Sequence, residues 1–229
     1  MKRALHKFTT KWKYTCLFGF VVASLAANSA FAGSIVDSLH NFTVRGWATP
    51  DAQICVYCHA PHNGANPADG PLWNHEVTAA TYTMYASPTG TFDGAGTIAA
   101  GPTGASKLCL SCHDGTVALD SFGGATGTNF ISGNYLLGTD LSNDHPISFT
   151  YDTALATADG GLADPATTTV TIGEGTDTKT GTIAELMLPT GELQCSSCHD
   201  VHNKFAIAGQ KLLRISLNNS DLCLTCHTK

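Results

Sequence analysis

Four copies of one five-residue stretch carry the chemistry of this chain: Cys55-Val56-Tyr57-Cys58-His59, Cys109-Leu110-Ser111-Cys112-His113, Cys195-Ser196-Ser197-Cys198-His199 and Cys223-Leu224-Thr225-Cys226-His227. C-x-x-C-H is the attachment sequence of c-type haem. Two thiols separated by two residues reach the two vinyl groups at one porphyrin edge and add to them as thioethers. The adjoining His supplies an axial nitrogen to iron. Paired cysteines at this spacing also hold zinc or run dithiol exchange. Zinc gives no reason for His to follow the second Cys every time, and a reactive dithiol wants an electropositive pocket that an acidic chain is poor in. The pattern predicts four haem c groups, bound through Cys55, Cys58, Cys109, Cys112, Cys195, Cys198, Cys223 and Cys226, with His59, His113, His199 and His227 as proximal ligands.

Each iron needs a second axial ligand or keeps an open site. Outside the motifs and the N-terminal leader stand His40, His62, His75, His145 and His202. A duplication chooses among them. The first and third motifs read C-x-x-C-H-x-x-H-Asn over 55–63 and 195–203, and the second and fourth read Leu-Cys-Leu-x-Cys-His over 108–113 and 222–227. Each half of the pattern has one His upstream of its long motif, His40 or His145, and one three residues after it, His62 or His202. These four are the expected distal ligands. His75 has no counterpart, because Ile215 stands in the corresponding place. Two axial ligands approach one iron from opposite faces, so a His three residues after its neighbour on a tight turn serves a different iron. His62 and His202 therefore draw haems into close contact. Met84 and Met187 read as packing residues. Two His for every iron leave no position for a substrate, so electron transfer and not catalysis is expected. The alternatives are a monomeric periplasmic shuttle and, in another class, a multihaem oxidoreductase with one open iron.

The elements that must position these residues are sparse. Lys2, Arg3, Lys7, Lys11 and Lys13, the apolar run from Cys16 to Ala27, and Ala30-Phe31-Ala32 read as a secretory signal peptide over 1–32. The run is too short for a confident membrane span. Its removal takes Lys+Arg from 12 to 7 against 18 Asp+Glu, a formal net charge of −11 that disfavours nucleic acid and anionic lipid. Residues 33–122 form a first dihaem module and 123–229 a second, within one continuous haem-cored domain. Thr49-Pro50-Asp51 is a helix start, and Ser106 and Ser220 are placed to cap short helices carrying the second and fourth motifs. Further along, a short helix is expected near Thr153–Ala158, and Thr167–Ile172 pairs with Thr180–Leu188 across a turn at Gly173–Lys179. The fold class is thus a multihaem cytochrome c: a mostly irregular chain around four haems, with short α-helices at the motifs and one small β-hairpin. Without haem the chain is expected not to fold.

On Cys55–Asn63 with Pro61, Pro71-Leu72-Trp73-Asn74, Cys109–Gly115, Asp144–Phe149 and Cys195–Asn203, the sequence resembles bacterial multihaem cytochromes of the doubled C-x-x-C-H type. More narrowly it is similar to the extracellular tetrahaem cytochromes of metal-reducing bacteria that polymerise into conducting filaments. That resemblance implies bis-His haems in alternating parallel and T-shaped stacks, and little regular secondary structure. It also implies a distal His, His62 by position, given head-to-tail to a haem of the next subunit. Other electron-transfer proteins are the implied partners. The implied location is the cell surface or beyond it, with the periplasm second.

Overall fold

The computed structural model describes residues 34–48, 53–64, 70 and 72–228. The leader and the helix start expected at Thr49 lie outside these residues. Five short helices are α1 (Gly104–His113), α2 (Thr153–Asp159), α3 (Ile183–Met187), α4 (Cys195–Cys198) and α5 (Asp221–Cys226). Four strands are β1 (Phe149–Thr150), β2 (Thr169–Glu174), β3 (Asp177–Thr182) and β4 (Glu192–Leu193), and the rest is 3-10 turns and irregular chain. Few helices, two-stranded sheets and long irregular stretches are consistent with a cytochrome c-like fold.

One apolar cluster lies between the second and third motifs, built from Phe149, Tyr151, Leu155, Ile172, Ile183, Met187, Leu188 and Leu193. Met187 is buried there, the packing role its sequence position suggested. Local signals explain the elements around this core. Asp152 accepts from Leu155 N–H at the start of α2, and Gly160 closes that helix at φ 63°. Thr182 and Glu185 form a reciprocal capping box at α3. A second cluster is aromatic: Tyr57, inside the first motif, packs edge-on against Phe42, Trp47 and Phe122.

Three local expectations need correction. The hairpin forms, but β3 begins at Asp177 and ends at Thr182, with Glu174 paired to Asp177. Gly175 at φ 60° permits this tight turn, and the capping box ends the strand so that α3 can carry Ile183 and Met187 into the core. Ser106 is not a cap. Thr103 holds the cap position of α1, and Ser106 lies one turn inside, fully buried. Ser220 does stand at the cap of α5, but at φ 64° its side chain makes no capping bond.

The two long motifs share one local structure. Ala60 N–H donates to Leu72 O (2.9 Å) and Asn74 N–H to Cys58 O (2.8 Å). In the second copy Asp200 N–H donates to Leu212 O and Arg214 N–H to Cys198 O, both 2.8 Å. Bridges join His59 to Trp73 and His199 to Leu213. Asn63 and Asn203 are left-handed at φ 52° and 59°, as are Leu72 and Leu212. Each long motif thus hangs on a return strand at the same offset, and the turn between them redirects the chain after the motif His.

Candidate haem-binding sites

Each motif occupies a helical turn. The second lies within α1, the third on α4, the fourth on α5, and the first on a 3-10 turn over Ile54–Tyr57. His59 N–H donates to Cys55 O (2.7 Å), His199 N–H to Cys195 O (3.0 Å) and His227 N–H to Cys223 O (2.9 Å). A closed turn puts the two cysteines, three residues apart, on one face. The His then leaves the turn beside them. All eight described cysteines are free thiols.

Three proximal His rings face three of the expected distal ones. His113 and His40 have ring centres 6.1 Å apart, His59 and His202 6.4 Å, and His227 and His145 6.3 Å. An iron held between two imidazole nitrogens, with bonds of about 2 Å, places the ring centres roughly 6 Å apart. These spacings fit a six-coordinate haem iron. They are too wide for direct ring stacking to explain all three. The planes differ: His59 and His202 are nearly parallel at 17°, while the other two pairs cross at 61° and 73°.

Backbone carbonyls orient several of the rings. His113 Nδ1 donates to Tyr135 O (2.8 Å), His199 Nδ1 to Lys211 O (3.0 Å) and His145 Nδ1 to Pro146 O (3.0 Å). Holding the proton on Nδ1 leaves the Nε2 lone pair for a metal. His202 is placed by Asp200, whose carboxylate accepts from His202 N–H (3.2 Å) and Phe205 N–H (2.6 Å). Burial first, then the neighbouring His113, His199 and His202, lowers the His40 pKa to about 4. His40 is therefore the neutral imidazole that ligation requires. Its Nδ1, with Tyr57 OH and Trp73 Nε1, is buried without a partner, and the latter two are donors suited to a cofactor carrying carboxylates.

Among the described residues, two ligand candidates are not brought together with another His. His62 is exposed and lies beside the Asn63 side chain, 3.3 Å away. His199 is also exposed, and among the described residues no His ring faces it. His75 is different again: it is 1% exposed, with Nδ1 2.7 Å from Glu76 O and Nε2 3.1 Å from Ala118 O. The ring is held against two backbone carbonyls, and a neutral imidazole donates to only one of them. The motif spacing names the candidate attachment residues, but the carbonyls of Tyr135, Lys211 and Pro146 are backbone atoms and left no sequence signal. The buried Gln194, which joins the second motif to the third, was missed as well; a polar residue directly before Cys195 was its only trace.

Residues 188–229 match the family model of the doubled CXXCH motif. That region holds the third and fourth motifs. No curated protein matches the chain. The match supports a multihaem c-type cytochrome family and covalent haem c at the third and fourth motifs, and with it haem-binding electron transfer. Proteins of that family are typically electron-transfer cytochromes. Among the described residues no helix is long and apolar enough to cross a membrane.

Proposed function

We propose that this protein carries electrons through four covalently bound bis-His haems, and that it polymerises outside the cell by giving His62 to the next copy. The observation that carries the ligand reading is the three His pairs at 6.1–6.4 Å, each joining a motif His to one non-motif His. When bound, haem supplies one-electron exchange between ferrous and ferric iron. The chain's own part is to fix two imidazoles per iron, so that little rearranges when the charge changes. His40, His202 and His145 serve the second, first and fourth attachment sites.

The third site supports the assembly reading. Its proximal His199 is exposed and His62 is the one expected distal ligand left over, also exposed. A bond from His62 of one copy to the third site of the next is a heterologous contact, which propagates as an open chain. The same exposed His199 favours a second reading, an oxidoreductase whose third iron is open to a small substrate. Carbon monoxide added to the reduced, natively assembled holoprotein separates the two. Saturated bis-His sites leave the spectrum unchanged; a carbon monoxide adduct on one haem of four means an open iron. The mass of the denatured chain tests the haem count, and fewer than four haems overturns the proposal.

A further inference from the structure

The two long motifs share a backbone frame, so residues at equal offsets can be set side by side. Residues 59–74 after the first motif correspond to 199–214 after the third. The first stretch has no Lys or Arg, whereas the second has Lys204, Lys211 and Arg214. Those are three of the 7 Lys+Arg in residues 33–229 of an acidic chain. Each stretch has one carboxylate, Asp69 or Asp200, and that of Asp200 accepts from His202 N–H (3.2 Å) and Phe205 N–H (2.6 Å). The three cations are placed differently. Lys204 and Lys211 are exposed, with Lys204 Nζ 5.3 Å from the centre of the Phe205 ring, and solvent and salt screen both. Arg214 is half-buried. Its N–H donates to Cys198 O (2.8 Å) and its Nε to His199 O (3.2 Å), so it is fastened to both the Cys and the His of the third motif. Asn74 stands in the same place at the first motif. Its N–H donates to Cys58 O (2.8 Å), and its uncharged side chain donates to Val56 O (3.1 Å). The duplicated frame thus carries a permanent positive charge at one site and a neutral amide at the other.

We infer that Arg214 sets the reduction potential of the third site: its fixed charge raises that potential, a role that Asn74 does not fill at the first. Reduction takes one electron from a one-electron donor and lowers the charge of the site by one, with no bond made or broken. A cation close by favours the added negative charge, and a half-buried cation is screened less than the two exposed lysines. Arginine suits this role because it stays protonated throughout the working pH range. The Nε bond holds the charge beside His199, whose Nδ1 is held in turn by Lys211 O (3.0 Å). Arg214 is therefore a positioned charge and not a ligand.

This rests on the four-haem reading above, and the test keeps the two apart. Chain mass comes first: fewer than four haems in the unaltered protein sinks the underlying reading, whatever Arg214 does. The intact holoprotein is then prepared as Arg214→Gln and as Arg214→Lys. Glutamine keeps a donor for His199 O and removes the charge, whereas lysine keeps the charge and removes the guanidinium. Redox titration follows the four centres by visible absorption. Electron paramagnetic resonance marks the first site by its nearly parallel His59 and His202 planes, 17° apart. One midpoint potential of the four should fall in Arg214→Gln and stay in place in Arg214→Lys, and it should not be that of the first site. Equal lowering in both variants makes Arg214 a structural residue and overturns the inference. So does an Arg214→Gln protein with no midpoint moved, or with the first site's moved. Should Arg214→Gln not retain four haems, Arg214→Asn, which copies the residue at the first motif, takes its place. Loss of haem from both neutral variants also overturns the inference, because Arg214 then serves attachment and not potential.

Discussion

The nine described histidines separate into roles by what their nitrogens meet, and the structure makes those roles measurable. The His59–His202 planes lie 17° apart, while those of His40–His113 and His145–His227 cross at 61° and 73°. The relative angle of two axial imidazoles splits the iron d orbitals differently, so the ferric holoprotein should give two kinds of low-spin electron paramagnetic resonance signal. One is rhombic, from the nearly parallel pair, and the other is strongly axial, from the crossed pairs. His202→Ala should remove the rhombic signal and leave the axial one. His75 is the control. His75→Ile, which copies the residue at the equivalent place in the second long motif, should leave every low-spin signal in place. It should still lower stability by roughly 1–3 kcal/mol, since the carbonyls of Glu76 and Ala118 lose their partner. Thermal melts followed at the haem bands check both halves. The candidate ligands could be listed by counting motifs, because iron needs two axial bonds and the duplication repeats, and the structure brings three of the expected pairs to within 6.4 Å. Which distal His meets which motif was not, because His202 crosses to the first motif over 143 residues of chain, and no local spacing encodes such a contact.

At the scale of elements, the sequence was readable for the short helix near Thr153–Ala158 and for the existence of the hairpin, where local pattern acts, though not for the hairpin's bounds. It was unreadable where polar side chains act across the chain. Ser106 looked like a cap because it precedes a motif, yet its hydroxyl accepts from Cys195 N–H, 89 positions on. Gln194 completes that joint, bonding Ser106 N–H, Thr103 Oγ1 (3.0 Å) and Glu192 Oε2 (2.7 Å). Gln194→Ala strands the buried Ser106 N–H and should cost about 1–3 kcal/mol. The cost should be local. Hydrogen exchange should accelerate in α1 and α4 and stay unchanged in β2 and β3, with four haems retained by mass. Equal acceleration in the hairpin would mean that Gln194 supports the whole fold and not this joint. The β1–β4 pair was missed for a related reason: Phe149 meets Leu193 across 44 residues, and two-residue strands carry no periodicity.

At the scale of the molecule, two kinds of core stand side by side. The apolar cluster from Phe149 to Leu193 is made of protein alone, whereas His62 and His202 stand outside it and His40 sits against the smaller aromatic cluster of Phe42, Trp47, Tyr57 and Phe122. A chain made without haem should therefore lack a cooperative melt, with any residual amide protection confined to 149–193. Beyond one copy, the proposed assembly turns on His62 and the third attachment site. Residues 33–229 carry 18 Asp+Glu against 7 Lys+Arg, so copies repel one another and charge alone does not drive them together. In the proposed assembly a coordinate bond at each junction would supply an attraction that salt does not screen. His62→Ala should then abolish filaments seen by electron microscopy, leave four haems by mass, and convert one haem in four to a form that binds carbon monoxide. His62→Met should keep filaments, because a thioether can replace the imidazole, and should raise the potential of that one haem. If His62→Ala still gives filaments with every iron low-spin, the ligand to the third site comes from elsewhere, and His62 is a surface residue.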